Sequence, residues 1–161
     1  MIRNVWAVLC KHIIENKKTN NTTLIESLEK LTIEIRPGFV SQRLNIDFPY
    51  SLATYWFNDD KVNSVTGTFR LRLITQSGHT TIPLEQAIDL APHAFKKWYI
   101  NFSAMGADGE GVYFFELHFK EDGKSRWNRV ATIPFHVAYK VNPEATMLQS
   151  VDPGEDVKLP T

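Results

Sequence analysis

The chain has 161 residues, of which 43% are hydrophobic and 22% are charged. Its 18 basic residues balance its 18 acidic residues, so no net field draws the chain to nucleic acid or to anionic lipid. These values are typical of one soluble globular domain, and they exclude disordered, fibrous and disulfide-stapled proteins.

The first residues do not have the pattern of a secretion signal or a membrane anchor. The apolar run from Val5 to Cys10 stops at Lys11 and His12, so it is shorter than either segment requires. Cys10 is the only cysteine, which excludes an internal disulfide and a cysteine-rich metal site. We therefore expect a cytoplasmic protein.

Apolar and polar residues alternate over most of the chain, as is typical of half-buried β-strands. In the clearest case Phe69, Leu71 and Leu73 share one face of a strand. The intervening Arg70 and Arg72 share the opposite face. Turn-forming clusters separate such runs, and the sequence predicts strands at 4–15, 24–36, 48–57, 65–76, 80–90, 95–104, 112–120 and 127–140.

Some segments carry a second signal. The leucines and Ile35 within 23–35 are spaced as on a helix, so helix and strand both remain open there. Residues 84–91 are open in the same way, because Pro92 would end a short helix at that point. Pro49 predicts that its strand lies at a sheet edge or begins there.

The last strand and the residues after it complete the prediction. On the strand at 127–140, Trp127 is predicted to face the core, with Arg129 as a polar exception on the same side. Beyond residue 141 prolines and acids replace aromatic residues, which predicts a flexible tail at 142–161. Residues 1–141 are therefore expected to form an all-β fold: a two-layer antiparallel β-sandwich of about eight strands, immunoglobulin-like or C2-like, with one or two short helices at most.

Two resemblances support this fold. The run from Gly111 to Phe115 resembles the tyrosine corner of immunoglobulin-like sandwiches, with Tyr113 two residues before a core position. A wider pattern covers most of residues 4–140 and resembles a family of small, uncharacterised bacterial proteins of unknown function. It consists of the opening strand at 5–14, the segment 19–29, an Ala-x-Trp-like strand (Ala53-Thr54-Tyr55-Trp56), a Gly-x-Tyr-x-Phe strand, and a closing strand with Trp127, Val130, Ile133 and Pro134.

The family resemblance implies a β-sandwich in which residues 23–35 are extended. It implies no catalytic residues, because the family offers none to carry over. It therefore bears on the fold and leaves function to the side chains themselves.

Several aromatic residues do not fit the predicted core. Tyr55, Phe57 and Phe114 fall on faces opposite the main alternation, and Tyr99 lies opposite its aromatic neighbours. An apolar patch formed by such residues would mark a binding surface.

Arg70 and Arg72 stand side by side on an outward strand face. Such a pair meets a carboxylate or phosphate bidentately, or else pairs with glutamates across the strands.

The acidic loops suggest a second kind of site. Asp59, Asp60, Glu121 and Asp122 lie in turns that strand alternation brings to one end of a sandwich, where C2-type domains hold calcium. The same residues are also common in turns for their bonds to the backbone.

The sequence contains no histidine, cysteine and acid spacing typical of a catalytic or zinc site. We therefore expect a non-enzymatic module for protein–protein interaction or self-association, with a protein partner or a second copy, and without cofactor, nucleic acid or membrane. The alternative is a small-ligand or calcium-binding domain that uses the acidic loops.

Overall fold

The computed structural model describes residues 1–38 and 44–144, except for the side chains at 82 and 83. These residues form β-strands and no helix, which confirms the predicted all-β class. The strands are β1 (Ile2–Asn16), β2 (Asn21–Ser27), β3 (Lys30–Ile35), β4 (Leu44–Asn58), β5 (Val65–Ile74), β6 (Thr80–Leu90), β7 (Phe95–Ala107), β8 (Gly111–Glu121) and β9 (Asn128–Val141).

The strands form two sheets that pack as a β-sandwich. Sheet A has the order β2-β1-β4-β7, and sheet B has the order β3-β9-β8-β5-β6. The strand pairs are antiparallel except that β3 runs parallel to β9. The predicted two-layer sandwich is therefore confirmed, with one parallel pair that the sequence did not predict.

The single strand predicted at 24–36 is two strands in different sheets. Glu26 has a φ of +53°, and the chain leaves sheet A after Ser27. The Leu28 amide then donates to the Leu9 carbonyl at 2.9 Å, while the Glu29 carbonyl accepts from the His136 amide at 2.9 Å. This crossing gives the parallel β3 and makes the helix alternative for 23–35 wrong.

The other helix alternative and the proline prediction are also corrected. Residues 84–90 belong to β6, so no helix precedes Pro92. Pro49 lies inside β4, which is a central strand between β1 and β7. It falls where the β4–β7 register shifts, between Asp47 and Tyr50, and such an irregularity accommodates a residue without an N–H donor.

Aromatic side chains join the two sheets in the core. The Phe69 ring of sheet B lies 5.4 Å from the Trp56 ring and 5.4 Å from the Trp98 ring, both of sheet A. Trp56, Phe69, Tyr113 and Phe115 are each at most 1% exposed. Full burial of rings this large is a main source of stability in a sandwich of this size.

From residue 145 onward the predicted tail lies outside the described residues. Across the ranges that are described, no helix is long and apolar enough to span a membrane.

Candidate functional site

Four aromatic residues form a continuous row on the outer face of sheet A, which we call the aromatic ladder: Trp6 from β1, Tyr55 and Phe57 from β4, and Phe95 from β7. Trp6 is the register partner of Tyr55, and Phe57 is that of Phe95. The ring centroids are 5.5 Å apart for Trp6 and Tyr55, 5.3 Å for Tyr55 and Phe95, and 4.4 Å for Phe57 and Phe95. The ladder thus crosses three strands.

The rings of the ladder are stacked or tilted against one another. The Phe57 and Phe95 rings lie 4.4 Å apart with 19° between their planes, which is face-to-face stacking. Rings stacked in this way cover part of each other's faces. The ladder is therefore suited to apolar packing more than to stacking with a sugar or a base. Phe95 is 56% exposed.

The tip of the β1–β2 hairpin returns across the same face of sheet A. The Tyr99 hydroxyl of β7 lies 2.5 Å from the Thr22 hydroxyl, and Lys97 Nζ donates to the Asn20 carbonyl at 2.5 Å. β2 and β7 are opposite edges of the sheet, so these contacts require the hairpin to fold over it. Ala53, directly opposite Tyr99 in the register, is 0% exposed.

Tyr99 is held by this hairpin. Burial raises the pKa of its phenol, the bond with Thr22 opposes that shift, and the charge of Glu15 adds to it. Tyr99 therefore remains protonated and serves to fasten the hairpin. A shallow pocket of about 440 Å³ lies beside it, lined by Glu15, Thr19, Asn20, Asn21, Tyr55, Phe95, Lys96 and Lys97.

The outer face of sheet B carries a group of polar and charged residues together with one tryptophan that contacts them. We call this group the arginine cluster: Arg70, Arg72, Glu85, Glu116, His118, Lys120, Trp127 and Arg129. Arg70 is the register partner of Glu85, and Arg72 is that of Glu116. The corresponding N–O distances are 3.8 Å and 3.7 Å. The cross-strand pairing with glutamates is therefore present, although both contacts are long.

Glu116 is the centre of the arginine cluster. Its side chain is only 9% exposed, and its two oxygens accept hydrogen bonds from Arg129 at 2.8 Å and His118 at 3.0 Å. Burial alone would raise the pKa of this carboxyl, but those two bonds and the charges of the same partners lower it below its usual value. Glu116 is consequently ionised at neutral pH.

Trp127 supports the arginine cluster from beneath Arg70. The Arg70 guanidinium carbon lies 4.0 Å from the ring centroid of Trp127, and Lys120 Nζ lies 5.1 Å from it. The predicted inward orientation of Trp127 is wrong for this reason. The β8–β9 register shifts between Leu117 and His118, which changes the phase of β9 and brings Arg129 to the outer face as well.

The six residues predicted to bind do not form one surface. Tyr55, Phe57 and Tyr99 lie on the outer side of sheet A. Arg70, Arg72 and Phe114 lie on that of sheet B, where Phe114 is 39% exposed. Because the outer faces of a sandwich point in opposite directions, each must be considered separately.

The acidic loops are engaged in local contacts. Asp59 binds the amino terminus at 2.7 Å and Arg3 at 2.6 Å. Asp60 accepts from the amides of residues 62 and 63 at 2.9 and 2.8 Å, and Glu121 pairs with Lys124 at 2.8 Å.

Asp122 donates its amide to the Thr66 carbonyl at 3.1 Å, which keeps its turn against the start of β5. In the described part of the chain, no three histidine, cysteine or acidic residues are grouped to hold a metal. A calcium site at Asp59, Asp60, Glu121 and Asp122 stays a prediction.

The predicted tyrosine-corner residue makes bonds to nearby backbone. The Tyr113 hydroxyl donates to the Gly109 carbonyl at 2.8 Å and accepts from the Asp108 amide at 2.9 Å. Asp108 in turn accepts from the hydroxyls of Thr75, at 2.5 Å, and Ser77. This network fixes the β7–β8 turn against the β5–β6 turn, and its role is structural.

Cys10 is not suited to nucleophilic chemistry. Its side chain is 0% exposed, and burial raises the pKa of its thiol. A protonated and inaccessible thiol is a poor nucleophile.

Sequence reasoning missed several members of both faces. Trp6 lies within the apolar run from Val5 to Cys10, for which no binding role is predicted, and Phe95 is the first residue of a predicted strand. Both residues could be recognised only as cross-strand partners of Tyr55 and Phe57. The pattern of one strand does not show its register with the neighbouring strands.

No known protein family matches the chain, and no curated protein matches it. Solved structures with a similar fold include a Pseudomonas fluorescens alkylpurine DNA glycosylase bound to abasic-site DNA, at 9% identity and a TM-score of 0.43, over 82% of this chain and 30% of that one. A Listeria innocua β-glucosidase in complex with glucose has 7% identity and a TM-score of 0.46, over 88% and 16% of the two chains. A Northeast Structural Genomics Consortium target has 11% identity and a TM-score of 0.40, over 96% of both. The chain thus spans less than a third of either enzyme, and likenesses at these scores assign it neither a fold family nor a function.

Proposed function

We propose that this chain is a non-enzymatic module that associates with a second copy of itself along the β7 side of sheet A. The observation that carries the proposal is an open edge strand of unusual composition. β7 ends sheet A and, among the described residues, pairs with β4 alone. From Trp98 to Ala107 it contains neither a charged residue nor a proline.

Such an edge normally carries protection against pairing, in the form of charges, prolines or bulges. β6, an edge of sheet B, contains Pro83, Glu85 and Asp89. β7 has only Lys96 and Lys97, both near its first residue. The uncharged part of β7 is therefore available for pairing with another strand.

The two lysines favour one register for a symmetric pair. Two antiparallel copies of β7 with a twofold axis near residue 103 align their uncharged segments. Lys96 and Lys97 then lie beyond the end of the partner strand, whereas an axis near the lysines would oppose like charges. Pairing over 98–107 supplies roughly ten main-chain hydrogen bonds, a typical number for a protein interface.

The aromatic ladder borders this interface. Phe95 begins β7, and in the proposed register it lies, like Lys96 and Lys97, beyond the end of β7 in the partner copy. An exposed aromatic ring of this kind suits packing against a protein surface.

The test is the molar mass of the purified chain by size-exclusion chromatography with light scattering, at about 0.1 mM. We expect a dimer of twice the 18.5 kDa chain mass. Ser103→Lys sets like charges near the twofold axis and is expected to give a monomer. The matched control, Ser27→Lys, makes the same change on β2, the opposite edge of the sheet, and is expected to stay dimeric.

A wild-type chain that remains monomeric at 0.1 mM would overturn the proposal. So would a Ser103→Lys variant that keeps the dimer mass. Thermal unfolding of each variant separates loss of association from loss of the fold.

A further inference from the structure

The guanidinium group of Arg70 is held against Trp127, and Arg70 and Arg72 both make only long contacts with carboxylates. Their contacts with Glu85 and Glu116, at 3.8 and 3.7 Å, are longer than hydrogen bonds of about 2.7 to 3.2 Å. Arg70 Nε is buried and makes no hydrogen bond. The contact with Trp127, 4.0 Å from the guanidinium carbon to the ring centroid, holds the Arg70 group without a hydrogen bond.

The arginine cluster carries more positive than negative charge. Four of its members are permanent cations (Arg70, Arg72, Lys120 and Arg129), and two are carboxylates (Glu85 and Glu116). This local excess of two positive charges lies in a chain whose formal net charge is zero. Concentrated like charge on one face favours an anionic ligand there.

The spacing of the two arginines suits one oxyanion. They are two residues apart on β5, so their side chains leave the same face about 7 Å apart. Two guanidinium groups at that separation can both direct N–H donors at a tetrahedral group between them. Their side chains are 21% and 30% exposed, which leaves access from solvent.

We propose that Arg70 and Arg72 bind the dianion of a phosphate monoester, with Trp127 positioning Arg70. A dianion compensates the two excess charges of the cluster. A phosphodiester in a nucleic acid brings one charge per phosphate and requires cations spread along its length. This site is on sheet B, so it is independent of the self-association proposed for sheet A.

The test is calorimetric titration of the full chain with inorganic phosphate at constant ionic strength. We expect saturable binding that chloride does not reproduce. Arg72→Gln is expected to weaken it at least tenfold. Arg72→Lys, which keeps the charge but loses the two-pronged geometry, is expected to weaken it by a similar factor. The control Lys140→Gln removes another loosely paired cation of sheet B, 3.8 Å from Glu34, and is expected to bind as wild type does.

Two further ligands identify the source of the phosphate. A phosphoserine peptide that binds more tightly than inorganic phosphate, while its unphosphorylated form does not bind, assigns a protein-borne group. Equal affinities assign a free phosphoester, and both results support the site. Absence of phosphate binding, or binding that Arg72→Gln leaves unchanged, would overturn it. An oligonucleotide that binds more tightly than phosphate, and is weakened equally by Arg72→Gln and Lys140→Gln, would also overturn it.

Discussion

The outer faces of the two sheets are built from opposite kinds of interaction. On sheet A, the aromatic ladder joins neighbouring strands through stacked rings that need no partner charge. On sheet B, neighbouring strands are joined through Glu116, a nearly buried carboxylate that binds Arg129 and His118. The same two-layer architecture thus leaves exposed aromatic rings on the outer face of sheet A. On the outer face of sheet B it leaves arginine N–H donors without short hydrogen bonds.

The two faces should therefore respond differently to mutation, pH and salt. Removing one partner of a buried ionic group leaves other charges uncompensated, whereas removing one ring of a partly exposed stack loses only contact area.

The largest effect is expected for Glu116→Gln. The neutral amide leaves Arg72, Arg129 and their neighbours without a central negative charge, which should lower the free energy of unfolding by about 2 kcal/mol. Urea denaturation measures the change. The matched control is Glu85→Gln, because Glu85 is 49% exposed and 3.8 Å from Arg70, and its cost should stay below about 0.5 kcal/mol. Equal costs for the two variants would contradict the central role of Glu116.

A smaller effect is expected from pH. The folded-state pKa of Glu116 lies below its ordinary value of 4.5, so ionised Glu116 stabilises the fold above that value. This contribution is lost as the pH falls through the lowered pKa. The stability difference between wild type and Glu116→Gln should therefore shrink as the pH falls from about 5 towards 3. A difference that persists unchanged at pH 3 would show that the carboxylate charge is not its source.

The smallest effect concerns the aromatic ladder. A double-mutant cycle with Phe57→Ala and Phe95→Ala should give a coupling free energy of about 1 kcal/mol. It should be unchanged in 1 M NaCl, because ring stacking is not screened by salt. A coupling near zero would mean that the stacked rings do not stabilise each other in solution.

Strand alternation predicted which side of a strand each residue occupies, and much of the sandwich follows from that. It correctly set Tyr55 and Phe57 opposite Trp56, and Arg70 opposite Phe69. It failed where the register shifts or the chain changes sheets. The irregularity beside His118 reversed the predicted side of Trp127, and the crossing at Leu28 turned one predicted strand into two.

The candidate sites were less accessible to sequence reasoning, because each depends on neighbours that are distant along the chain. Glu116 meets Arg129 only through the pairing of β8 with β9, and Phe57 meets Phe95 only through β4 and β7. The β1–β2 hairpin meets β7 through the contact of Thr22 with Tyr99, 77 residues apart. A residue pattern predicts faces, and pairing between strands then decides which side chains meet.

The pairing of two copies along β7 is tested most directly by hydrogen exchange of the β7 amides at low and high protein concentration. If two copies pair along this edge, amides within 98–107 that exchange quickly at about 1 μM should be protected at about 0.1 mM, while those of β3, an edge of sheet B, exchange equally at both. If exchange of the β7 amides does not depend on protein concentration, the proposed association along β7 is contradicted.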